Sequence, residues 1–203
     1  MITIFDYGSG NIRSAYRAFA TTGQSVSITS DPKIAIEAQG LVIPGVGAFA
    51  ACVEQFHSVG GAEVLATRIE QGKKSFGICV GMQILFSSGV EKSGSKGLGI
   101  FPGVVEKLKA PTLPQIGWNQ VKAAPGSQLF HGVEDRYFYF VHSYGVQKIE
   151  NSSEENVKIT WSNYGGDFVA AIESEFVSAT QFHPEKSGSA GLRLISNWVS
   201  TLD

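Results

Sequence analysis

Apolar and polar positions along the first half of the chain predict short buried strands separated by helices. The runs "ITIF", "SVSI", "LVIPG" and "KSFGI" are β-branched or apolar and lack clean polar alternation. Helical spacing runs from about Asn11 to Thr22, around "GGAEVLATRIEQG", and through "VGMQILFSS". Such strands, spaced by helices, predict a mostly parallel central sheet covered on both faces, a three-layer α/β fold. In the second half "WNQVKAA", "RYFYFVHSYGV", "VKITWSNYG", "FVAAIES" and "FVSATQF" read as strands joined by turn-like "APGSQ", "NSSEEN" and "NYGGD". They are expected to extend the sheet as antiparallel strands. Leu192, Ile195 and Val199 recur at helical spacing and predict a closing C-terminal helix.

Composition narrows this picture. A chain of 203 residues, 43% apolar and without repeat or low-complexity linker, can bury one substantial core, so a single domain over residues 1–203 is expected. The net charge of -2 with mixed signs gives no basic footprint for nucleic acid. No apolar window is long enough to span a bilayer, and "MITIFDYG" lacks a secretory signal, so a cytoplasmic protein is expected. The cysteines, Cys52 and Cys79, are too few for a disulfide framework and lack zinc-site spacing, so no metal is expected.

Among the glycine turns, "DYGSGN" places Gly8 and Gly10 between a strand and a helix, but Arg13 stands where a dinucleotide fingerprint needs its third glycine. The turn reads more simply as a helix start capped by Asn11 or Ser9. Around Cys79 the pattern is G-x-C-x-G, after a strand and before a helix. The glycines let the backbone crowd at the turn, the thiol projects from the strand end, and the helix start favours a thiolate and offers the Val80 N–H to an oxyanion. On this motif alone, Cys79 reads equally as a packed core residue. Cys52 lies on a helical pattern without such a turn and reads as core.

Of the four histidines only His183 comes with an orienting acid: in "QFHPEKS" Pro184 stiffens an extended segment that puts His183 and Glu185 on one side. Nucleophile, base and orienting carboxylate are what acyl transfer requires. In "VIPGVGAF" Gly45 and Gly47 flank Val46 at the end of another buried strand. A glycine-permitted peptide there could aim a second N–H at the same oxyanion.

With G-x-C-x-G-x-Q and a distant H-P-E in order, the chain resembles the class I, or triad, glutamine amidotransferases, whose fold is flavodoxin-like. The blocks "DYGSGN", "PGVGAF", "GWN", "FVHSY" and "HPEKSG" look like one subgroup: glutaminase subunits that feed ammonia to a cyclase making imidazole glycerol phosphate in histidine biosynthesis. The resemblance implies Cys79 as nucleophile, His183 as base and acid, and Glu185 as orienting group. It also implies an oxyanion hole from Val80 and the Gly45–Val46–Gly47 loop. Gln83, Ser143 and Tyr144 match the positions that hold glutamine, with Glu91 placed on the substrate ammonium by spacing alone. Asn11, Trp118, Asn119, Tyr139 and Lys186 match positions near the interface with a (β/α)8 cyclase subunit.

The implied reaction takes L-glutamine through a glutamyl thioester to glutamate and ammonia without a cofactor. The rival readings are a glutaminase serving another acceptor, such as pyridoxal phosphate synthesis, a non-catalytic subunit of the same fold, and a cysteine peptidase. "GWN" and "HPEKSG" weigh against the first, and the intact Cys79, His183 and Glu185 against the second. The chain suggests neither the open cleft nor the secreted or lysosomal setting usual for the third.

Overall fold

The computed structural model describes residues 1–91, 94–149 and 157–202. The first half forms β1 (Ile2–Phe5), α1 (Ile12–Ala20), β2 (Val26–Thr29), α2 (Pro32–Glu37), β3 (Gly40–Gly45), α3 (Phe49–Ser58), α4 (Gly61–Glu70), β4 (Lys74–Cys79) and the one-turn α5 (Val80–Gln83). Asn11 caps α1 by accepting from the Ser14 N–H, and Asp31 caps α2 ahead of Pro32, whose fixed φ suits the first helical turn. The second half forms β5 (Phe86–Gly89), β6 (Ser95–Lys96), β7 (Phe101–Lys107), β8 (Gln115–Gln120), β9 (Tyr137–His142), β10 (Tyr144–Val146), β11 (Lys158–Asn163), β12 (Asp167–Glu173), β13 (Val177–Thr180) and α6 (Gly188–Val199).

The seven-stranded main sheet runs β11-β12-β13-β4-β3-β1-β2. Its β2-β1-β3-β4-β13 part is parallel, as in flavodoxin-like folds. Register separates the two faces: Ile4 pairs Val42, which pairs Phe76, so these share a face, and Phe5 lies on the other. On Phe76 meet Phe19 of α1 and Trp198 of α6, while Phe56 of α3 packs edge-on against Phe5. Helices therefore cover both faces, and the parallel strands β1 and β3 are buried along their whole length.

Three expectations change. The helix expected through "VGMQILFSS" ends at Gln83, because the carbonyls that would continue it are taken by another segment: Leu98 N–H donates to Ile84 O, Phe101 N–H to Leu85 O and Gly97 N–H to Ser87 O. The last strand, β13, is parallel to β4, so only β11 and β12 are antiparallel additions to the sheet. The single strand expected over "RYFYFVHSYGV" breaks at Ser143. Its first part pairs with β8 in a separate hairpin, and its second joins β5, β6 and β7 in a four-stranded sheet. That sheet and α2 were not anticipated. The turn expected at "NSSEEN", residues 151–156, lies outside the described residues.

Candidate active site

The carboxyl ends of β3, β4 and β13 converge, with Gly45 directly opposite Cys79 in the β3–β4 register. Cys79 adopts φ 56 and ψ -113, and among the described residues it is the one non-glycine with positive φ. An L-residue held there stores about 1–3 kcal/mol of strain, which the surrounding packing must hold in place. The crowding is visible in the glycines on either side. A Cβ at Gly81 would overlap the Ile43 carbonyl oxygen, and one at Gly77 would lie 2.8 Å from the Gly81 carbonyl oxygen. The turn thus projects a buried thiol at the start of α5, with the Val80 amide beside it.

His183 follows β13 and is fixed through its backbone: its N–H donates to Tyr139 O at 2.9 Å, and its carbonyl accepts from Ser187 Oγ at 2.7 Å. Its Nδ1 lies 2.8 Å from Glu185 Oε1, and both side chains are 3% exposed. Its Nε2 is buried without a hydrogen-bond partner. Burial pushes this imidazole down, but the neighbouring Cys79 thiol and the Glu185 carboxylate outweigh it and carry it up to about 10. The site therefore favours the proton on His183 over its loss to solvent.

Gln83 is buried one turn beyond the thiol, and its Nε2 donates to Tyr144 O at 2.8 Å and to Gln181 Oε1 at 3.0 Å. Gln181 was missed in the sequence, although it stands two residues before His183. Its Nε2 reaches to 3.8 Å from Cys79 Sγ, so it links the thiol to the Gln83 amide. Ser143 and Tyr144 sit at the β9–β10 break beside this pair. Glu91 lies at the N-terminus of α3, its Oε2 accepting from the Phe49 N–H at 2.9 Å, where the helix end favours a carboxylate.

The Gly45–Val46–Gly47 loop passes over a polar cluster. Ser9 Oγ donates to Val46 O at 2.9 Å and accepts from the Val46 N–H at 3.2 Å, and Cys52 Sγ lies 3.2 Å from Val46 O. Cys52 is buried, yet it also helps to hold the loop.

Of the surface residues, Trp118 and Tyr139 pair across β8 and β9 and meet edge-on. Ile116 and Tyr137 share their face, and Ile116, Trp118 and Tyr137 are 63%, 56% and 54% exposed. Asn119 points to the opposite face and donates to Asn163 O at 2.9 Å. Lys186 is exposed on the short 3₁₀ turn Pro184–Lys186, and Asn11 is exposed at the α1 cap. Among the described residues, no helix is long and apolar enough to cross a membrane.

Residues 3–201 match the glutamine amidotransferase class-I family, to which the chain belongs. The imidazole glycerol phosphate synthase subunit HisH of Thermobifida fusca is 51% identical over 207 residues, covering 99% of this chain and 98% of that protein. The subunit of the same name from Mycobacterium tuberculosis (strain ATCC 25618 / H37Rv) is 48% identical over 203 residues, again covering 99% and 98%. Similarity of fold extends to a crystal structure of a glutamine amidotransferase, 18% identical with a TM-score of 0.76 over 98% of this chain and 97% of the other. A chain of PurLQS from Thermotoga maritima is 20% identical with a TM-score of 0.72 over 100% and 98%.

Proposed function

We propose that the chain works as one glutaminase domain in the cytoplasm, hydrolysing L-glutamine and passing the ammonia to a (β/α)8 cyclase subunit. That subunit would use it to form imidazole glycerol phosphate and aminoimidazole carboxamide ribotide. The observation that carries this reading is the strained Cys79 beside a buried His183 whose Nε2 lacks a partner and whose Nδ1 is held by Glu185.

In this mechanism His183 Nε2 takes the Cys79 proton and the thiolate attacks the side-chain amide carbon of glutamine. The Val80 N–H stabilises the tetrahedral oxyanion. The C–N bond breaks as His183 returns the proton to the departing nitrogen, so ammonia leaves and a glutamyl thioester remains. Water, deprotonated by the same imidazole, then releases glutamate. Gln83, held by Tyr144 and Gln181, positions the substrate amide, and Ser143 and Tyr144 line its amino-acid end. Glu91 would add the contact to the substrate ammonium through a carboxylate already anchored on α3. None of these steps calls on a cofactor.

The cyclase would dock on the face of Ile116, Trp118, Tyr137 and the half-buried Tyr139, with the exposed Lys186 and Asn11 as further contacts. An aromatic stripe of this kind is the usual anchor of an interface. It is also joined to the site, because Tyr139 accepts from the His183 N–H and its own N–H donates to Ser187 Oγ. Asn119, on the reverse face, would brace the hairpin against Asn163. The Gly45–Val46–Gly47 loop is then a two-state element. With its N–H on Ser9, Val46 withholds the second oxyanion donor, and a loaded cyclase favours the other orientation. Glutamine hydrolysis measured with and without a loaded cyclase tests this: strong stimulation is expected, and equal rates contradict it.

A further inference from the structure

Cys79 Sγ has a buried neighbour with no step in the proposed reaction. Gln181 follows β13, is 1% exposed, and is set by its backbone, whose N–H donates to Ala170 O at 2.8 Å. Its amide bridges the thiol and Gln83: Nε2 lies 3.8 Å from Cys79 Sγ, and Oε1 accepts from Gln83 Nε2 at 3.0 Å.

The direction of both amides follows from one group whose role cannot change. The Tyr144 carbonyl can only accept, so the end of Gln83 that lies 2.8 Å from it is the NH₂ group. The other hydrogen of that group points at Gln181, whose facing end must then be its oxygen, since two NH₂ groups would have no acceptor between them. The end of Gln181 turned to Cys79 is therefore the donor. His142 Nδ1, 2.9 Å from the same Tyr144 carbonyl, uses the second lone pair of that oxygen and leaves the order intact.

A neutral thiol is a weak acceptor and gains little from such a donor. Once the proton has passed to His183, the sulfur carries a charge at 4% exposure, where a hydrogen bond to the ion is worth far more. The titratable groups around this sulfur are His183 with Glu185 on the turn after β13, Tyr7 after β1 and Cys52 of α3, while His142 of β9 stands next to His183. Burial raises Tyr7 and Cys52, so both stay neutral at pH 7.

We propose that Gln181 is a further catalytic residue: its Nε2 donates to the Cys79 thiolate, and its Oε1 holds Gln83 with both N–H groups spent, so that Gln83 meets the substrate as an acceptor. This rests on Cys79 as the nucleophile of the proposed function and adds the group that steadies its charge.

The test is alkylation of Cys79 by iodoacetamide in the full chain, from about pH 5 to about pH 10, with mass spectrometry reading Cys52 separately and melting temperatures as a folding check. In Gln181→Met the acid limb of the profile is expected to move up by about one pH unit, a fall of about tenfold in rate on that limb. At the alkaline end, where the thiol ionises unaided, the two rates should converge. The pH profile of glutamine kcat/KM in complex with a loaded cyclase should shift in the same direction. Loosened packing alone would change the rate at every pH and leave the limb in place. A limb that does not move, or a loss equal at all pH values, overturns the proposal. Alkylation of Cys79 that leaves glutamine hydrolysis intact instead removes the nucleophile assignment beneath it. Should Gln181→Met not fold, Gln181→Glu takes its place. That variant keeps an acceptor toward Gln83 but sets a carboxylate oxygen against the sulfur, so its limb should move up at least as far, and an unmoved limb there overturns the proposal too.

Discussion

The Nδ1 of His183 and Oε1 of Glu185 lie 2.8 Å apart with both side chains nearly sealed from solvent. Pro184 between them limits the backbone, and Ser187 holds the His183 carbonyl, so imidazole and carboxylate meet without rearrangement. Glu185→Gln keeps the shape and removes the charge that favours imidazolium. The expected result is a fall in glutaminase kcat of about 10²–10⁴-fold with KM for glutamine little changed. A loss under threefold in steady-state assays would show that the carboxylate does not act through His183.

At Cys79 the backbone strain makes a stability prediction independent of catalysis. Alanine must occupy φ 56 and ψ -113, whereas glycine does so freely. Cys79→Gly should therefore be more stable than Cys79→Ala by about 1–2 kcal/mol, reversing the usual order of the two residues. Thermal unfolding of the two inactive variants decides the matter, and an alanine variant that melts higher would mean the turn is not strained.

Arg68 predicts a large structural effect far from the thiol. Fully buried, it donates to the carbonyls of Ala35, Ile36, Ala38, Gln39 and Lys74 and to Ser75 Oγ, thereby closing the end of α2 against β4. Burial lowers its pKa to about 10, which still leaves it charged at neutral pH. Arg68→Met strands these carbonyls and should cost about 3–5 kcal/mol by chemical denaturation. Arg68→Lys should recover only part of that, since an ammonium has three donors and no planar fork. Equal stability of all three proteins would contradict the role assigned to the guanidinium.

How far the sequence reveals this arrangement depends on whether the cause is local. Gly77 marks the elbow because the Gly81 carbonyl four residues on crowds it, and His183–Pro184–Glu185 is self-contained, whereas Gly81 answers to the Ile43 carbonyl of β3. The parallel strands are legible because burial on both faces removes polar alternation. What escaped notice is set by distant partners. The helix after Gln83 stops because residues 97–101 take its carbonyls, and Gln181 gains its meaning only from Gln83 across the fold. An arginine on α4 reads as solvated until α2 and β4 close over it, and β5 and β6 of the second sheet are short and carry glycine or serine. No pattern of residues encodes the direction of the Val46 peptide.

His142 predicts how stability changes with acid. It is buried between Phe140 and Phe168, 2.9 Å from Tyr144 O and 3.0 Å from Gln115, and burial with the nearby His183 charge lowers its pKa to about 4. The folded state thus resists a proton that the unfolded chain binds below about 6.5. Its contribution is complete above that pH and is lost as pH falls toward 4, by about 3 kcal/mol. His183, raised rather than lowered, contributes stability below about 6.5 that is lost as pH rises through about 10, so the two windows do not overlap. Urea titrations at pH 7 and pH 4 should show His142→Gln losing about 3 kcal/mol less than the unmodified chain; identical losses would assign the acid sensitivity elsewhere.

The most direct measurement of the central claim is product formation by the complex of this chain with a (β/α)8 cyclase, supplied with glutamine or with ammonium salt. With Cys79→Ser, imidazole glycerol phosphate synthesis from glutamine should disappear, while synthesis from ammonium should continue at the rate of the unmodified complex. Retained synthesis from glutamine in that variant would contradict the assignment of Cys79, and failure of the unmodified complex to use glutamine would contradict the function itself.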